Sequence, residues 1–430
     1  MEKTINFSLM GVKIGVVGLG TAGITFISEL KRYKKKNSIE IVAFEERGPK
    51  IFHPCSIPEA VEGRIEPEKL LEPLPFKDIR VEGKAVEIEP ISKTIQYIKN
   101  DGKTEKEKFD FIFVATGGET PLPKSEKSLK STKYEDVLEI KRRLEKSRKV
   151  AVVGSGILGL EMASAISKHT QVEIFEMGQK ILPNFLSDTL SDFLYQKITE
   201  TNKKVSFNFG TKVDNPDELD SDFVLFCVGF KPNTISLHKI YVDDFMRLKH
   251  EDGKGVYQDV FSAGDCVEDK NIPYVAPRAA EQARIAAKNI LAIINGNEPQ
   301  EKYQKIISPC ILKAFGFEIG KVGKIQEKES GKEQNTLSFT LDIKIMPFSE
   351  DRMKVFLKVD NDGNIIEAQA ISNFRSEVRH FLDIFYICIK KGIKIDELRR
   401  FELSYQPEIC KFPDPITSIA EVISRRLERL

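Results

Sequence analysis

Residues 12–18, VKIGVVG, form a short β-rich apolar run that ends in glycine. A helical pattern continues to about Tyr33, and a second apolar run, Ile39–Phe44, stops at Glu45. Near-continuous apolar strands separated by an amphipathic helix predict a βαβ unit, with parallel strands covered by helices. Strand patterns return at Lys84–Glu89 and Thr94–Lys99, with Asn100-Asp101-Gly102 as the turn signal. Phe109–Ala115 reads as a further strand, ending in Thr116-Gly117-Gly118, and Pro121 and Pro123 mark a boundary. After Arg148 the chain begins again: VAVVGSGILGLEMASAI repeats the first unit, and VEIFEMG matches IVAFEERG. The copies lie about 135 residues apart, and FVLFCVGFKPNT (Phe223–Thr234) echoes FIFVATGGETP. VFSAGDC and a helical stretch, Pro277–Ile294, come next. From Tyr303 the texture becomes α+β, with strands at Leu337–Ile345, Lys354–Val359 and Ile365–Ile371 and two helical segments.

A chain of 430 residues is too long for one hydrophobic core, so two or three domains are expected. Lys plus Arg (66) balance Asp plus Glu (65), which points to neither nucleic acid nor a membrane as partner. No apolar run approaches the roughly 20 residues of a membrane span. The opening MEKTINFSLM lacks the apolar core of a signal peptide. Six scattered cysteines without a C-x-x-C pair suit a reducing compartment, and a cytoplasmic location is the expectation. The five histidines form no ligand pattern, so no metal site is expected.

Gly18-Leu19-Gly20-Thr21-Ala22-Gly23 fits G-x-G-x-x-G between strand and helix. Gly18 permits the tight turn, Gly20 lets the backbone approach a pyrophosphate, and Gly23 permits close helix–strand packing. Glu45 stands where a carboxylate accepts from ribose hydroxyls; a glycine turn used for packing alone is the bland alternative. Gly154, Gly156 and Gly159 repeat the motif, with Glu176 ending the next strand. A carboxylate there accepts from a free 2′-hydroxyl and repels a 2′-phosphate, which favours NADH over NADPH unless Glu176 is only a solvated strand end.

In this order, the two glycine loops, Ala263-Gly264-Asp265-Cys266 and the helix after it resemble the two-dinucleotide-binding flavoprotein disulfide reductases. The resemblance implies an α/β fold with two Rossmann-like domains, for FAD and NAD(P), and a C-terminal α+β dimerisation domain. Its expected boundaries are 1–120 with 236–300 for FAD, 121–235 for NAD(P)H, and 301–430 for dimerisation. It implies that Asp265 binds the ribityl chain and that the helix start Arg278–Ala280, with Ala280 at the cofactor, faces the flavin pyrimidine. Thr116 and Gly117 match the family's ATG segment and Gly229 its G-x-x-P-N segment, both at the cofactors.

Phe52-His53-Pro54-Cys55-Ser56-Ile57-Pro58 resembles the redox-cysteine segment of the single-cysteine branch: coenzyme A-disulfide reductases, NADH oxidases and NADH peroxidases. Cys55 and Pro58 match; Ser56, Ile57 and Glu59 depart, with Glu59 replacing a tyrosine. A thiolate at Cys55 would attack a disulfide and receive electrons through the flavin, and an inert loop thiol is the alternative. His53 is a surface residue or a neighbour that lowers the thiol pKa. Cys227 reads as a mid-strand core residue, Cys266 as packing, and Cys310 and Cys388 as core. Thr21 stands where peroxidase and oxidase members carry histidine, which moves the reading toward a small-thiol disulfide such as CoA disulfide. By the same resemblance Lys31 and Arg32 match the CoA-phosphate region, while the run Lys31–Lys36 also reads as a solvated helix end. Tyr405 matches the tyrosine that reaches the partner subunit's active site in a homodimer, and Cys410 is either incidental or a resolving thiol for Cys55 of the other subunit. Two rivals remain: an NADH oxidase reducing oxygen at the flavin, and an NADH-responsive redox-sensing dimer with little turnover.

Overall fold

The computed structural model describes residues 11–33, 39–268, 274–304, 306–324, 336–346, 350–373 and 377–429. The opening decapeptide and Lys34, Lys35 and Lys36 of the basic run lie outside the described residues. The first sheet orders its strands as Arg247–Lys249, Val256–Ser262, Phe111–Val114, Val12–Val17, Ile39–Phe44 and Arg80–Glu82. All pairings are parallel except the first. Its central strands are apolar because both faces are covered, but by helices on one side alone: the helices Thr21–Arg32 and Ala276–Ile294 pack on one face, and Ala85, Ile88, Ile95 and Tyr97 of the antiparallel strands Lys84–Glu89 and Thr94–Ile98 pack on the other. Phe111–Val114 is buried throughout, and Val12–Val17 everywhere except Lys13. Phe26 of the helix Thr21–Arg32 stacks on Phe113 with ring centroids 3.9 Å apart.

The second sheet is wholly parallel, in the order Ser128–Leu129, Phe223–Phe226, Lys149–Val153, Gln171–Glu176 and Val205–Phe209. The chain leaves the first sheet through Gly118–Glu119 and returns through Lys231–Pro232, and these two short strands pair antiparallel. The first sheet is therefore assembled from two stretches of sequence with the second unit inserted between them.

The third sheet is antiparallel: Ile306–Ala314, Phe317–Lys324, Ile365–Ser372, Arg352–Asp360 and Thr336–Lys344. Met353, Val355, Leu357 and Val359 alternate inward, and they form one core with Phe381, Phe385, Ile419 and Ile423 of the helices Glu377–Lys391 and Pro415–Leu427. The hairpin Ile306–Lys324 was not foreseen, because its tip is Phe315-Gly316 rather than Asn-Gly; both residues adopt positive φ, +52° and +87°. Among the described residues the short helix Ile395–Leu398 makes three helical segments here rather than two. The Asn100-Asp101-Gly102 turn lies one strand later than expected, joining Thr94–Ile98 to Thr104–Lys108.

Helix–sheet contact in both parallel-sheet units depends on missing side chains. A Cβ on Gly23 would lie 2.0 Å from the Gly18 carbonyl oxygen, and one on Gly159 would lie 2.0 Å from the Gly154 oxygen. By contrast, a Cβ on Gly20 meets no atom within 4 Å. Gly23→Ala is therefore expected to cost about 1–3 kcal/mol through overpacking and to lower the thermal denaturation midpoint of the ligand-free chain, whereas Gly20→Ala leaves that midpoint nearly unchanged. Equal midpoints for the two variants would contradict this account of the helix–strand contact.

Candidate functional site

The first glycine loop begins where Gly18 donates its N–H to the Phe44 carbonyl at 2.9 Å and turns with φ +96°. That conformation favours glycine, and a Cβ there would also strike the Ala115 carbonyl oxygen at 2.3 Å. Gly20 caps the helix Thr21–Arg32 without a side-chain hydrogen bond, so the helix N-terminus opens onto the space that Gly20 leaves free. Unsatisfied N–H groups and the helix dipole make such a cradle suited to a pyrophosphate. Glu45 is buried; it accepts the Leu19 N–H at 3.2 Å and an ion pair from Arg47 at 3.0 Å.

The second loop repeats this construction. Gly154 donates to Phe175 O at 2.7 Å with φ +100°, and the space beyond Gly156 holds no atom within 4 Å of a built Cβ. Glu176 accepts the Ser155 N–H at 2.9 Å and its hydroxyl at 2.7 Å on one oxygen, and the Gly178 N–H at 2.8 Å on the other. Each strand-end glutamate is thus tied to the second residue of its own glycine loop. Lys180 is turned away, paired with Asp188 and Asp192.

Thr116 and Gly117 sit at the crossing between the two sheets. The Thr116 hydroxyl donates to the Asn233 carbonyl, and the Gly117 carbonyl accepts the Asn233 N–H at 2.8 Å. Gly117 and Gly229 both take positive φ, +67° and +70°. Asp265 follows the strand Val256–Ser262; burial pushes its carboxyl up while the Arg278 guanidinium opposes that shift. Arg278 is itself buried in the first turns of the helix Ala276–Ile294, and Ala280 is half-buried one residue beyond Ala279.

Cys55 lies in a single 3-10 turn, Pro54–Ser56, that leads into the helix Ile57–Glu62. Solvent reaches the residue, yet the protein mass around it pushes the thiol up, and the carboxylates of Glu161, Asp265 and Glu59 push it the same way. His53 does not lower it: its Nε2 pairs with Glu72 at 3.0 Å. Cys227 follows the strand Phe223–Phe226 rather than lying within it and is half-buried. Cys266, Cys310 and Cys388 are buried as expected.

The remaining expected residues stand apart. Lys31 is engaged by Asp78 and lies over the Phe76 ring, and Arg32 is exposed, 3.7 Å from Glu29. Tyr405 is exposed and packs edge-on against Phe412; the Cys410 thiol donates to Ser404 O at 3.5 Å.

Sequence reasoning passed over Glu161. It is the only charged residue of the helix Ile157–Ile166, which was the available signal. Burial drives its carboxyl up to about 7, and the charge of Glu59 adds to that shift.

The profile of the pyridine nucleotide-disulphide oxidoreductase family matches residues 12–283, and the chain belongs to that family. An NADH oxidase of Methanocaldococcus jannaschii is 25% identical over 464 residues, covering 96% of this chain and 98% of that protein. A CoA-dependent NAD(P)H sulfur oxidoreductase of Pyrococcus abyssi is 24% identical over 447 residues, covering 95% and 97%. The water-forming NADH oxidase of Lactobacillus brevis bound to NADH shares the fold, with a TM-score of 0.83 at 19% identity over 97% of this chain and 99% of that one. The chain is accordingly an FAD-dependent pyridine nucleotide oxidoreductase, and the two cradles fit two dinucleotides. Among the described residues no helix is long and apolar enough to cross a membrane, and no cluster of His, Cys, Asp and Glu could hold a metal ion.

A methyl group on Gly20 would enter the open space at the helix N-terminus, which suits a pyrophosphate, without touching protein. Gly20→Ala is expected to weaken flavin retention at least tenfold, about 1.4 kcal/mol, measured as flavin absorbance per chain after dialysis. Full retention would place the pyrophosphate elsewhere.

Proposed function

We propose that this member of the family is an NAD(P)H:disulfide oxidoreductase of the single-cysteine type, with a small-thiol disulfide such as CoA disulfide as substrate. Gly18, Gly20, Gly23 and Glu45, with Thr116, Gly117, Asp265 and Ala280, hold FAD. Gly154, Gly156, Gly159, Glu176 and Gly229 hold the nicotinamide dinucleotide. In terms of domains, 1–120 with 236–300 serve FAD, 121–235 serve NAD(P)H, and 301–430 serve dimerisation.

The observation that carries the reading is the position of Cys55. It is exposed, stands at the start of a helix, and is close enough to Asp265 of the first unit and Glu161 of the second to feel both charges. FAD supplies the electron transfer between the nicotinamide and this thiol. The Cys55 sulfur attacks one sulfur of the substrate disulfide: a Cys55–S bond forms, the substrate S–S bond breaks, and one thiolate leaves. Asp265 and Arg278 would set the local charge for a bound flavin, and the Ala276–Ile294 helix would offer it a positive end. The name of the Pyrococcus relative, a CoA-dependent enzyme, supports CoA as the thiol.

Tyr405, Ile409 and Phe412 are 54%, 67% and 73% exposed, an apolar surface suited to a homodimer in which Tyr405 reaches the partner's site. Lys31 and Arg32 would meet the phosphates of the substrate only if Lys31 left Asp78. Six free cysteines fit a reducing, cytoplasmic setting. A second reading, oxygen reduction at the flavin, draws support from the Cys55 thiol being pushed away from the thiolate form and from the NADH oxidase relative.

Intact mass of the air-oxidised protein, before and after dithiothreitol, tests the proposal. A releasable CoA-sized adduct, absent in Cys55→Ser, is the expected result. An unmodified Cys55 together with NADH oxidation that survives Cys55→Ser would move the reading to the oxidase. For the nicotinamide, Glu176→Gln removes the charge that repels a 2′-phosphate while retaining an acceptor. The ratio of kcat/KM for NADH over NADPH is expected to fall at least tenfold, about 1.4 kcal/mol. An unchanged ratio would take Glu176 away from the ribose.

A further inference from the structure

The helix Ile157–Ile166 packs on one side against the helix that follows Cys55 and on the other against the strand Ile306–Ala314. Glu161 lies at that joint, held by the Lys313 N–H, which donates to its Oε1 at 3.4 Å. Glu59, one helical turn beyond Cys55, brings a second carboxylate. One of its oxygens lies 3.7 Å from the Arg64 guanidinium, and the other, Oε2, is buried with no hydrogen-bond partner. The charges of Glu161 and Glu59 both bear on the Cys55 thiol, and among the described residues the ion pair made to either carboxylate is that of Arg64 with Glu59. In such a group, ionisation of any one member disfavours ionisation of the others.

We propose that Cys55 and Glu161 share a single negative charge near neutral pH, with Glu59 enforcing the exclusion, so that Glu161 stores the proton that accompanies thiol–disulfide exchange at Cys55. The inference rests on Cys55 being the redox cysteine. While Cys55 is a thiolate, Glu161 keeps its proton. When Cys55 attacks a disulfide, its charge leaves with the departing thiolate. Glu161 then ionises, the carboxyl O–H breaks, and the proton goes to that thiolate, giving a neutral thiol and a Glu161 carboxylate. The pocket returns to one negative charge with no outside oxidant or reductant. Glu161 hands its proton to the departing thiolate and is in this sense a catalytic acid.

The other titratable groups around the joint fit this role. Cys310, from the neighbouring strand, is pushed up to about 12 by burial, by Glu161 and by Cys55, and so stays neutral. Asp265 bears on Cys55 from the first unit but is opposed by Arg278. In the strands beneath the Glu161 helix, Lys149 pairs with Glu173 at 2.9 Å, and Glu176 is bound to its glycine loop. Glu161 itself titrates at about 7, the range in which such a store has to work.

The test is the pH profile of Cys55 alkylation by iodoacetamide in the flavin-containing protein, read by mass and corrected with Cys55→Ser. In the wild type, Glu161 becomes charged as pH rises through about 7 and opposes thiolate formation, so the rate climbs shallowly. Glu161→Gln removes that opposition: the profile steepens, and the rate near pH 8 rises about three- to tenfold, half to one unit in thiol pKa. Glu59→Gln, at a half-buried site, shifts the profile in the same direction by a smaller amount. Profiles of both variants that superimpose on the wild type, or a slower Glu161→Gln, would overturn the proposal. If Glu161→Gln loses flavin, Glu59→Gln alone decides. A steepened profile in a protein that turns over no disulfide would sink the proposed activity and leave the charge sharing intact.

Discussion

The structure depends on one close approach made twice: the first turn of a helix laid against the end of a buried parallel strand, at a distance only glycine permits. At Gly23 and Gly159 a single methyl would sit 2.0 Å from a carbonyl oxygen of the loop. That contact fixes the direction of each helix axis, and the axis fixes where unpaired N–H groups point. Binding of an anion in this cradle is then a consequence of packing, because no side chain has to be added to supply the donors. What has to be added is emptiness at Gly20 and Gly156, where a built Cβ meets nothing.

The strand-end glutamates are the second requirement, and their geometry shows a division of labour. Glu45 accepts from Leu19 and Glu176 from Ser155, each the residue after the first glycine of its loop. The carboxylates therefore hold the loops in shape before any ribose arrives. A carboxylate has capacity for about four hydrogen bonds, so each keeps room for a hydroxyl. Burial makes both costly to leave without partners, which the backbone donors prevent. Preorganisation of the cradle and, on the function proposed above, recognition of the sugar are thus two uses of one side chain.

Much of this was legible from residue order because it is local. Strand, glycine loop, helix and glutamate fall within about 35 residues in each unit, and the apolar runs of Val12–Val17 and Lys149–Val153 could belong only to strands buried on both faces. The third sheet was harder. Its hairpin Ile306–Lys324 turns through Phe315 at positive φ, a conformation paid for by tertiary packing and invisible to turn chemistry. Of the two readings of His53, the surface residue holds and the neighbour of the thiol does not: two residues of separation say nothing about direction, and its ring turns to Glu72 across a two-stranded ladder.

The environment of Cys55 was not legible, for a physical reason. Its charges arrive from Glu59 on the helix that follows it, from Glu161 about 100 residues later, and from Asp265 another 100 beyond. No periodicity links such positions; only the packing of the helix Ile157–Ile166 between two other elements does. The sequence carried one hint, a lone carboxylate in an otherwise uncharged helix that should have been apolar throughout. A buried charge without a strong partner costs more than a surface one, and proteins resolve the cost by keeping the proton on. At Glu161 the retained proton lies beside a thiol whose own ionisation it governs. The residue that looked least suited to its helix is therefore the one that couples the second unit to the chemistry of the first.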